Sequence, residues 1–196
     1  RQFTRTADGW AETVVGLAEG RLVLGRAAPV RLGALEHRRA DTRAGDIVEI
    51  CPAAAPAVAA IAGRIARHGG AAIIVDYGGW RSLGDTFQAV RAHRAVDPLA
   101  EPGLADLTAH VDFEALARIA AEAGAATTSL TTQGALLTAL GIMARAEVLG
   151  RGLEGAALGN HRAATRRLTD ASEMGTLFKA LAILPAGAPP IAGFQP

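Results

Sequence analysis

A chain of 196 residues with a net charge of +1 and a pI near 8.2 is long enough for a real core. Its charge balance excludes a general attraction to nucleic acid or to an anionic membrane. Half of the residues are hydrophobic but only 4% are aromatic, so the core must be built from small and branched aliphatic side chains. Cys51 is the one cysteine, which rules out an intrachain disulfide and makes a reducing compartment the default. No transmembrane helix is expected, because the longest uncharged stretch, residues 123–144, carries Thr127, Thr128, Ser129, Thr131, Thr132, Gln133 and Thr138. The chain opens at Arg1 without methionine and directly in a strand-like pattern, so an upstream portion is expected.

The first segment reads as β structure. Residues 2–6, 10–17 and 21–24 are strand-like runs separated by Ala7-Asp8-Gly9 and Glu19-Gly20, which predicts a three-stranded antiparallel ribbon. Trp10 is read there as a packing anchor rather than a ligand platform. Residues 25–45, with Glu36-His37-Arg38-Arg39, read as a solvated connection.

Gly45-Asp46-Ile47-Val48-Glu49-Ile50 is a short strand, and Pro52 suits the first turn of a helix over residues 52–68. Val58, Ile61 and Ile65 recur at helical spacing, Arg64, Arg67 and His68 complement the helix dipole, and Gly69 stops it. Ala71-Ala72-Ile73-Ile74-Val75 then reads as a strand buried on both faces, so that helix and strand make half of a βαβ unit. It halts at Asp76-Tyr77-Gly78-Gly79, and ligands of open α/β sheets sit beyond the carboxyl ends of strands. Glu49 has two readings, a site carboxylate at a strand end or an ordinary polar residue before a helix. Cys51 is read as a small buried hydrophobe rather than a nucleophile, since no histidine lies near it in sequence.

The following stretch is irregular and polar. Residues 86–94 are assigned a short helix, and Asp97-Pro98 and Glu101-Pro102-Gly103 mark turns. Asp106, His110 and Asp112 can be read as metal ligands or as an acid/base set, because a carboxylate orients and tunes an imidazole. Asp112 alone is better read as the cap of the helix beginning at Phe113, whose apolar face is Phe113, Leu116, Ala117 and Ala120. A helix over 134–149 with a threonine cap, a basic helical patch over 156–168 and a final strand over 177–184 complete the chain. There is no Walker loop, Gly-x-Ser-x-Gly elbow, Cys-x-x-Cys or His-Glu-x-x-His.

From these residues alone the reading is an α/β domain with an acidic site. The series Gly45-Asp46-Ile47-Val48-Glu49-Ile50-Cys51-Pro52, Asp76-Tyr77-Gly78, Gly84-Asp85-Thr86-Phe87-Gln88-Ala89-Val90-Arg91-Ala92-His93, Asp97-Pro98-Leu99, Asp106-Leu107-Thr108-Ala109-His110-Val111-Asp112-Phe113, Thr132-Gln133-Gly134 and Met174-Gly175-Thr176-Leu177-Phe178-Lys179 resembles the MidA family. These are S-adenosylmethionine-dependent methyltransferases of the class I fold, related to the mitochondrial complex I assembly methyltransferase that modifies an arginine. Phe87 departs from the leucine of the pattern.

The resemblance implies a partial class I, Rossmann-like sheet with an antiparallel β-ribbon excursion (residues 1–30) and an α/β core with helical cover (45–196). Together these form the C-terminal part of one methyltransferase domain. The glycine-rich cofactor loop of the family has no counterpart here, so the residues holding S-adenosyl-L-methionine are expected upstream of Arg1 and this chain alone is expected to be inactive. The implied chemistry is methyl transfer to an arginine side chain of a partner protein, which needs positioning and carboxylates that hold a guanidinium. Asp76, Tyr77 and Glu49 are the candidate catalytic residues, His110, Asp112, Gln133 and Asp85 the candidate substrate-binding residues, and no metal is expected. A respiratory-complex subunit is the implied partner class, a homodimer is open, and the implied compartment is the bacterial cytoplasm or, for eukaryotic relatives, the mitochondrial matrix. The alternatives are a non-catalytic protein-binding or assembly module, and a metal-dependent hydrolase built on His110, Asp112, Asp106 and Asp76.

Overall fold

The protein is described from a computed structural model over residues 1–194. It divides into two units: Arg1–Pro52 with Arg81–Asp112, and Ala53–Trp80 with Phe113 to the end of the chain.

In the first unit, β1 (Gln2–Arg5), β2 (Trp10–Ala18) and β3 (Arg21–Arg26) form the antiparallel ribbon expected from the turn sequences. The ribbon does not end there. Short strand β4 (Ile47–Glu49) pairs antiparallel with β1, giving the sheet order β3-β2-β1-β4. Phe3, Trp10, Leu35 and Val48 pack into the core over this sheet, each almost wholly buried. Trp10 is therefore the anchor its position suggests, and burying such a side chain stabilises by roughly 1.5–3 kcal/mol. Leu35 arrives on a 3-10 helix, Gly33–Arg39, that also carries Arg38. The solvated reading of that charge run is corrected at Arg38, which is only 2% exposed and whose Nε donates to both oxygens of Asp41 at 3.1 and 3.0 Å.

The expected helix over 86–94 is instead a hairpin. Strands β6 (Gln88–Arg91) and β7 (Arg94–Val96) pair antiparallel, and β8 (Asp106–Thr108) joins the other side of β6. Ala92 and His93 form its two-residue loop with φ of 50° and 61°, the left-handed geometry whose twist matches that of the flanking strands. Phe87, Val90 and Arg91 fit a helical spacing equally well, so the apolar pattern alone cannot separate the two. A two-residue strand, β9 (Val111–Asp112), closes this unit. The buried reading of Cys51 is corrected as well: it follows the end of β4 and is exposed.

In the second unit α1 (Ala54–His68) ends as expected at Gly69, whose N–H donates to Ile65 O. Strand β5 (Ala72–Gly79) follows. It continues through Asp76 and Tyr77 rather than halting before them, because β12 (Phe178–Pro185) pairs with it antiparallel, Lys179 opposite Asp76 and Phe178 opposite Tyr77. The reading of β5 as buried on both faces is also corrected: Ile73 and Val75 are 55% and 44% exposed, on the face opposite Ile74. Helix α2 (Phe113–Glu122) leads to β10 (Ala125–Thr127), which pairs with the other side of β12. With the order β10-β12-β5, β5 and β10 run parallel and β12 lies antiparallel between them, while β11 (Thr131–Thr132) also pairs with β12.

Strand β12 is the core of this unit. Its Ala180, Leu181, Ala182 and Ile183 are fully buried; Ala180 and Ala182 pack with Leu136 and Phe194, so alternation turns Leu181 and Ile183 to the other face. The expected single helix over 134–149 is broken into α3 (Gln133–Ala139) and α4 (Ile142–Gly150) at Gly141, whose φ of 85° no helix accommodates. Its apolar stripe is broken with it: Leu136 is buried, but Leu140, Met143 and Val148 are all more than half exposed. Thr132 caps α3 by accepting from Ala135 N–H at 3.2 Å. Helix α5 (Gly155–Thr169) and the single turn α6 (Met174–Leu177) precede β12. No helix among the described residues is long and apolar enough to cross a membrane.

Candidate active site

The candidate residues fall into two groups, one in each unit. In the first unit the network begins at Glu49, the last residue of β4, which is 7% exposed. Burial of a carboxylate demands hydrogen bonds. Oε1 accepts from Gln2 Nε2 at 3.2 Å and from Thr86 N–H at 3.1 Å, and Oε2 accepts from the Thr86 hydroxyl. Both oxygens are thus engaged. Gln2 Nε2 also donates to Asp85 Oδ1 at 2.8 Å, and that oxygen accepts from Phe87 N–H at 3.2 Å. His110 N–H donates to Thr86 Oγ1 at 2.9 Å.

The same network runs on through Ser82. Glu49 N–H donates to Ser82 Oγ at 2.8 Å, Ser82 N–H donates to Asp112 Oδ2 at 2.9 Å, and that oxygen lies 3.9 Å from Arg38 Nη1. The structure therefore joins Glu49, Asp85, His110 and Asp112 in one web of side chains and backbone amides. Gln2, Ser82, Thr86 and Arg38 are its missed members. Thr86 lies within the motif Gly84-Asp85-Thr86, but Gln2 and Ser82 carry no local signal, because their partners are 30 or more positions away, and Arg38, paired locally with Asp41, reaches Asp112 only through the fold. Among the described residues no three His, Cys, Asp or Glu are grouped to hold a metal ion, so the hydrolase reading lacks its ligand set.

In the second unit Asp76 and Tyr77 stand on β5. Asp76 Oδ1 accepts from Tyr77 N–H at 2.8 Å, and among the described residues its second oxygen has no hydrogen-bond donor. The Tyr77 ring meets Phe178 edge to face at 5.4 Å between centroids, on the face of β5 opposite to that of Asp76. Lys179, opposite Asp76 in the ladder, donates instead to Thr176 O and, at 3.4 Å, to Leu177 O. Burial pushes its pKa down from the ordinary lysine value. Gln133 is buried at the start of α3, with Nε2 donating to Leu168 O at 2.9 Å. It ties α3 to α5.

Two open cavities of about 270 and 400 Å³ are present. The first is lined by Thr127, Thr128, Pro189, Pro190 and their neighbours without any charged side chain; the second lies at the β6–β8 end beside Arg91 and Asp106. Neither of these two cavities joins a glycine-rich strand-to-helix turn to an acid for ribose hydroxyls, so neither fits an adenosyl cofactor.

Comparison with known proteins agrees with this architecture. Residues 1–131 match the family model described as "Putative S-adenosyl-L-methionine-dependent methyltransferase". The chain is 36% identical to the mitochondrial protein arginine methyltransferase NDUFAF7 of Xenopus tropicalis over 99% of its own length and 47% of the relative's. It is 42% identical to the Drosophila melanogaster homolog over 65% of the chain and 30% of the relative. It thus spans about half or less of these relatives. An uncharacterized Burkholderia thailandensis protein of known structure superposes over the whole chain and 54% of its own, with a TM-score of 0.82 and 28% identity. A second structure from that organism, described as a "likely methyl transferase" bound to S-adenosyl-homocysteine, superposes over the whole chain and 51% of its own, with a TM-score of 0.78 and 27% identity. The Rossmann-like α/β reading and the resemblance to MidA-type proteins are thereby met, and the chain belongs to this family of S-adenosyl-L-methionine-dependent methyltransferases.

Proposed function

We propose that this chain is the acceptor-side part of a protein arginine methyltransferase that uses S-adenosyl-L-methionine. Its relatives bear that activity in their names, and a structural neighbour holds the demethylated cofactor. The cofactor supplies an electrophilic methyl group; what this chain supplies is the shaping of the acceptor's surroundings. The observation within the structure that supports the reading is Asp76, a partly buried carboxylate with one oxygen tied to its own strand and the other without a hydrogen-bond donor among the described residues. Such a group can hold a guanidinium and take up its proton as the nitrogen is methylated. Tyr77, the next residue along β5, turns its ring to the other face against Phe178 and steadies the strand there.

Glu49 takes a different role in this proposal. Both its oxygens are bound to Gln2 and Thr86, so it is a positioning residue that fixes residues 82–86. Asp85, exposed and anchored through Gln2, with His110 and Asp112 on the same web, offers acidic and imidazole groups to a partner segment. Gln133 acts only through the packing of α3. A partner protein is the substrate class, and a mitochondrial location applies to the eukaryotic relatives by name.

The test is methyl transfer by the protein at its natural length. Incubation with S-adenosyl-L-methionine and candidate acceptor proteins should add methyl groups to arginine, detected by peptide mass spectrometry. Cofactor binding without any methylated arginine would leave the family assignment standing and remove the arginine acceptor.

A further inference from the structure

We propose that Lys179 is the proton relay of the acceptor site, taking from Asp76 the proton that the acceptor nitrogen gives up. The inference rests on the reading of Asp76 as the carboxylate beside that nitrogen, and Lys179 acts through it. The observations that carry it all lie within the second unit.

The first is chemical. The chain has 20 basic residues, and Lys179 is the one lysine among 19 arginines. A guanidinium keeps its proton in a protein, whereas an amine can give its proton up and take one back. The second is position. In the β5–β12 ladder Lys179 stands directly opposite Asp76, so the two side chains leave the same face of the sheet with Cβ atoms about 4.5–5.5 Å apart. That face also carries Ile74 and Leu181, while Tyr77 and Phe178 turn to the other. Asp76 lies toward the carboxyl end of β5, the end at which ligands of α/β sheets collect.

The third is how the amine is held. Nζ donates to Thr176 O and, at 3.4 Å, to Leu177 O, and among the described residues it makes no ion pair. A peg on two carbonyls requires donors only, and a guanidinium supplies five of them. What an amine adds is a lone pair: its neutral form has two N–H bonds to match the two carbonyls and is then free to accept a proton. Partial burial favours that neutral form, drawing the pKa below the ordinary lysine value. Asp76 is the acid that faces Lys179 from β5. Strands β10 and β11 and helices α3 and α6 carry no titratable side chain; α1, also packed on β12, brings Arg64, Arg67 and His68, and α2 brings Glu114, Arg118 and Glu122, none of them paired with Lys179.

The protons balance. Methylation leaves the acceptor nitrogen with one proton to lose, and Asp76 takes it. The flexible lysine stem then swings Nζ from the two carbonyls to the carboxyl; the O–H bond breaks, an N–H bond forms, and the pair becomes carboxylate and ammonium. Transfer from a carboxyl to an amine runs downhill. The ammonium passes the proton to water, which restores both groups.

The test follows the protein at its natural length by NMR with isotope-labelled lysine side chains, the Lys179 signal being the one lost in Lys179→Arg. The amine should titrate below the ordinary lysine value, and Asp76→Asn should shift it further down, because loss of the facing negative charge disfavours the ammonium. An ordinary titration, or one that Asp76→Asn leaves unmoved, would overturn the relay. In turnover, the parent kcat should rise with pH through the titration of the amine, since the neutral form is the one that accepts. Lys179→Arg keeps the charge and the donors; it should lower kcat at least about tenfold, leave the acceptor KM within about twofold, and abolish that rise. Full activity in a folded Lys179→Arg protein, or a rise that persists in it, would make the lysine a peg and overturn the relay as well. A parent that methylates no arginine would remove the proposed acceptor, while the titration, which needs no turnover, still decides whether Lys179 and Asp76 are coupled.

Discussion

The hydroxyl of Ser82 accepts a hydrogen bond from the backbone N–H of Glu49 at 2.8 Å, while the N–H of Ser82 donates to Asp112 Oδ2 at 2.9 Å. One small buried residue therefore links strand β4 to the acid at the end of β9, and Glu49 in turn holds Thr86. Serine suits the place because its hydroxyl and its amide serve two different partners. Replacing Ser82 by alanine should strand a buried N–H and destabilise the protein by about 1–3 kcal/mol. Denaturant unfolding measures this, and a loss under about 0.5 kcal/mol would mean that the bond to Glu49 has a ready substitute.

Asp76→Asn keeps the oxygen that accepts from Tyr77 N–H but loses the negative charge. Methyl transfer by the protein at natural length should fall by about 10²-fold or more, with the unfolding free energy within about 0.5 kcal/mol of the parent. Unchanged turnover would remove Asp76 from the transfer site.

The glycines of Thr132-Gln133-Gly134 and Met174-Gly175-Thr176 have a packing reason. A Cβ on Gly175 would lie 2.2 Å from Thr169 O and 2.6 Å from Asp170 O, and one on Gly134 would lie 2.6 Å from the same Thr169 O. Backbone cannot yield as a flexible side chain can. Gly175→Ala should therefore cost more than about 2 kcal/mol. Because both glycines press on Thr169, the double variant should lose less than the sum of the two singles. A stable, fully folded Gly175→Ala protein would show that the turn between α5 and α6 can open.

Asp170 ends α5 and accepts from the Ser172 hydroxyl and N–H at 2.6 and 2.8 Å. These bonds, the hydroxyl first, hold its carboxyl below the ordinary aspartate pKa. A lowered folded-state pKa means that the unfolded chain binds the proton more readily. The contribution is therefore fully present above the ordinary aspartate value and is lost as pH falls through the folded value. Ser172→Ala should shift the Asp170 titration upward by NMR; an unmoved titration would place the cause elsewhere.

Much of the framework was legible along the chain. The turns at Gly9 and Gly20 gave the ribbon, Gly69 ended α1, and Thr132 capped α3, because each of these is decided by a few neighbouring residues. The hairpin at 88–96 was not, since its apolar spacing fits a helix and the choice rests on Ala92 and His93 adopting left-handed geometry. Arg38 was read as solvated because a charged run usually is, yet Asp41 and Asp112 make its burial tolerable. The acids of the candidate site were found as residue types, but their engagement was invisible: Glu49 and Asp76 look alike in sequence, and only their hydrogen bonds differ.

By itself the sequence determined the α/β class, the ribbon, the aliphatic core and the ordered motifs that mark the family, since composition, turn chemistry and motif order are properties of the chain. Tertiary structure alone decided that β4 pairs with β1, that β12 inserts antiparallel between β5 and β10, and that Ser82, Thr86 and Gln2 gather around Glu49. These are relations between segments 30 or more residues apart. They are fixed by which buried polar groups can satisfy one another once the chain is packed, a condition that no local pattern records.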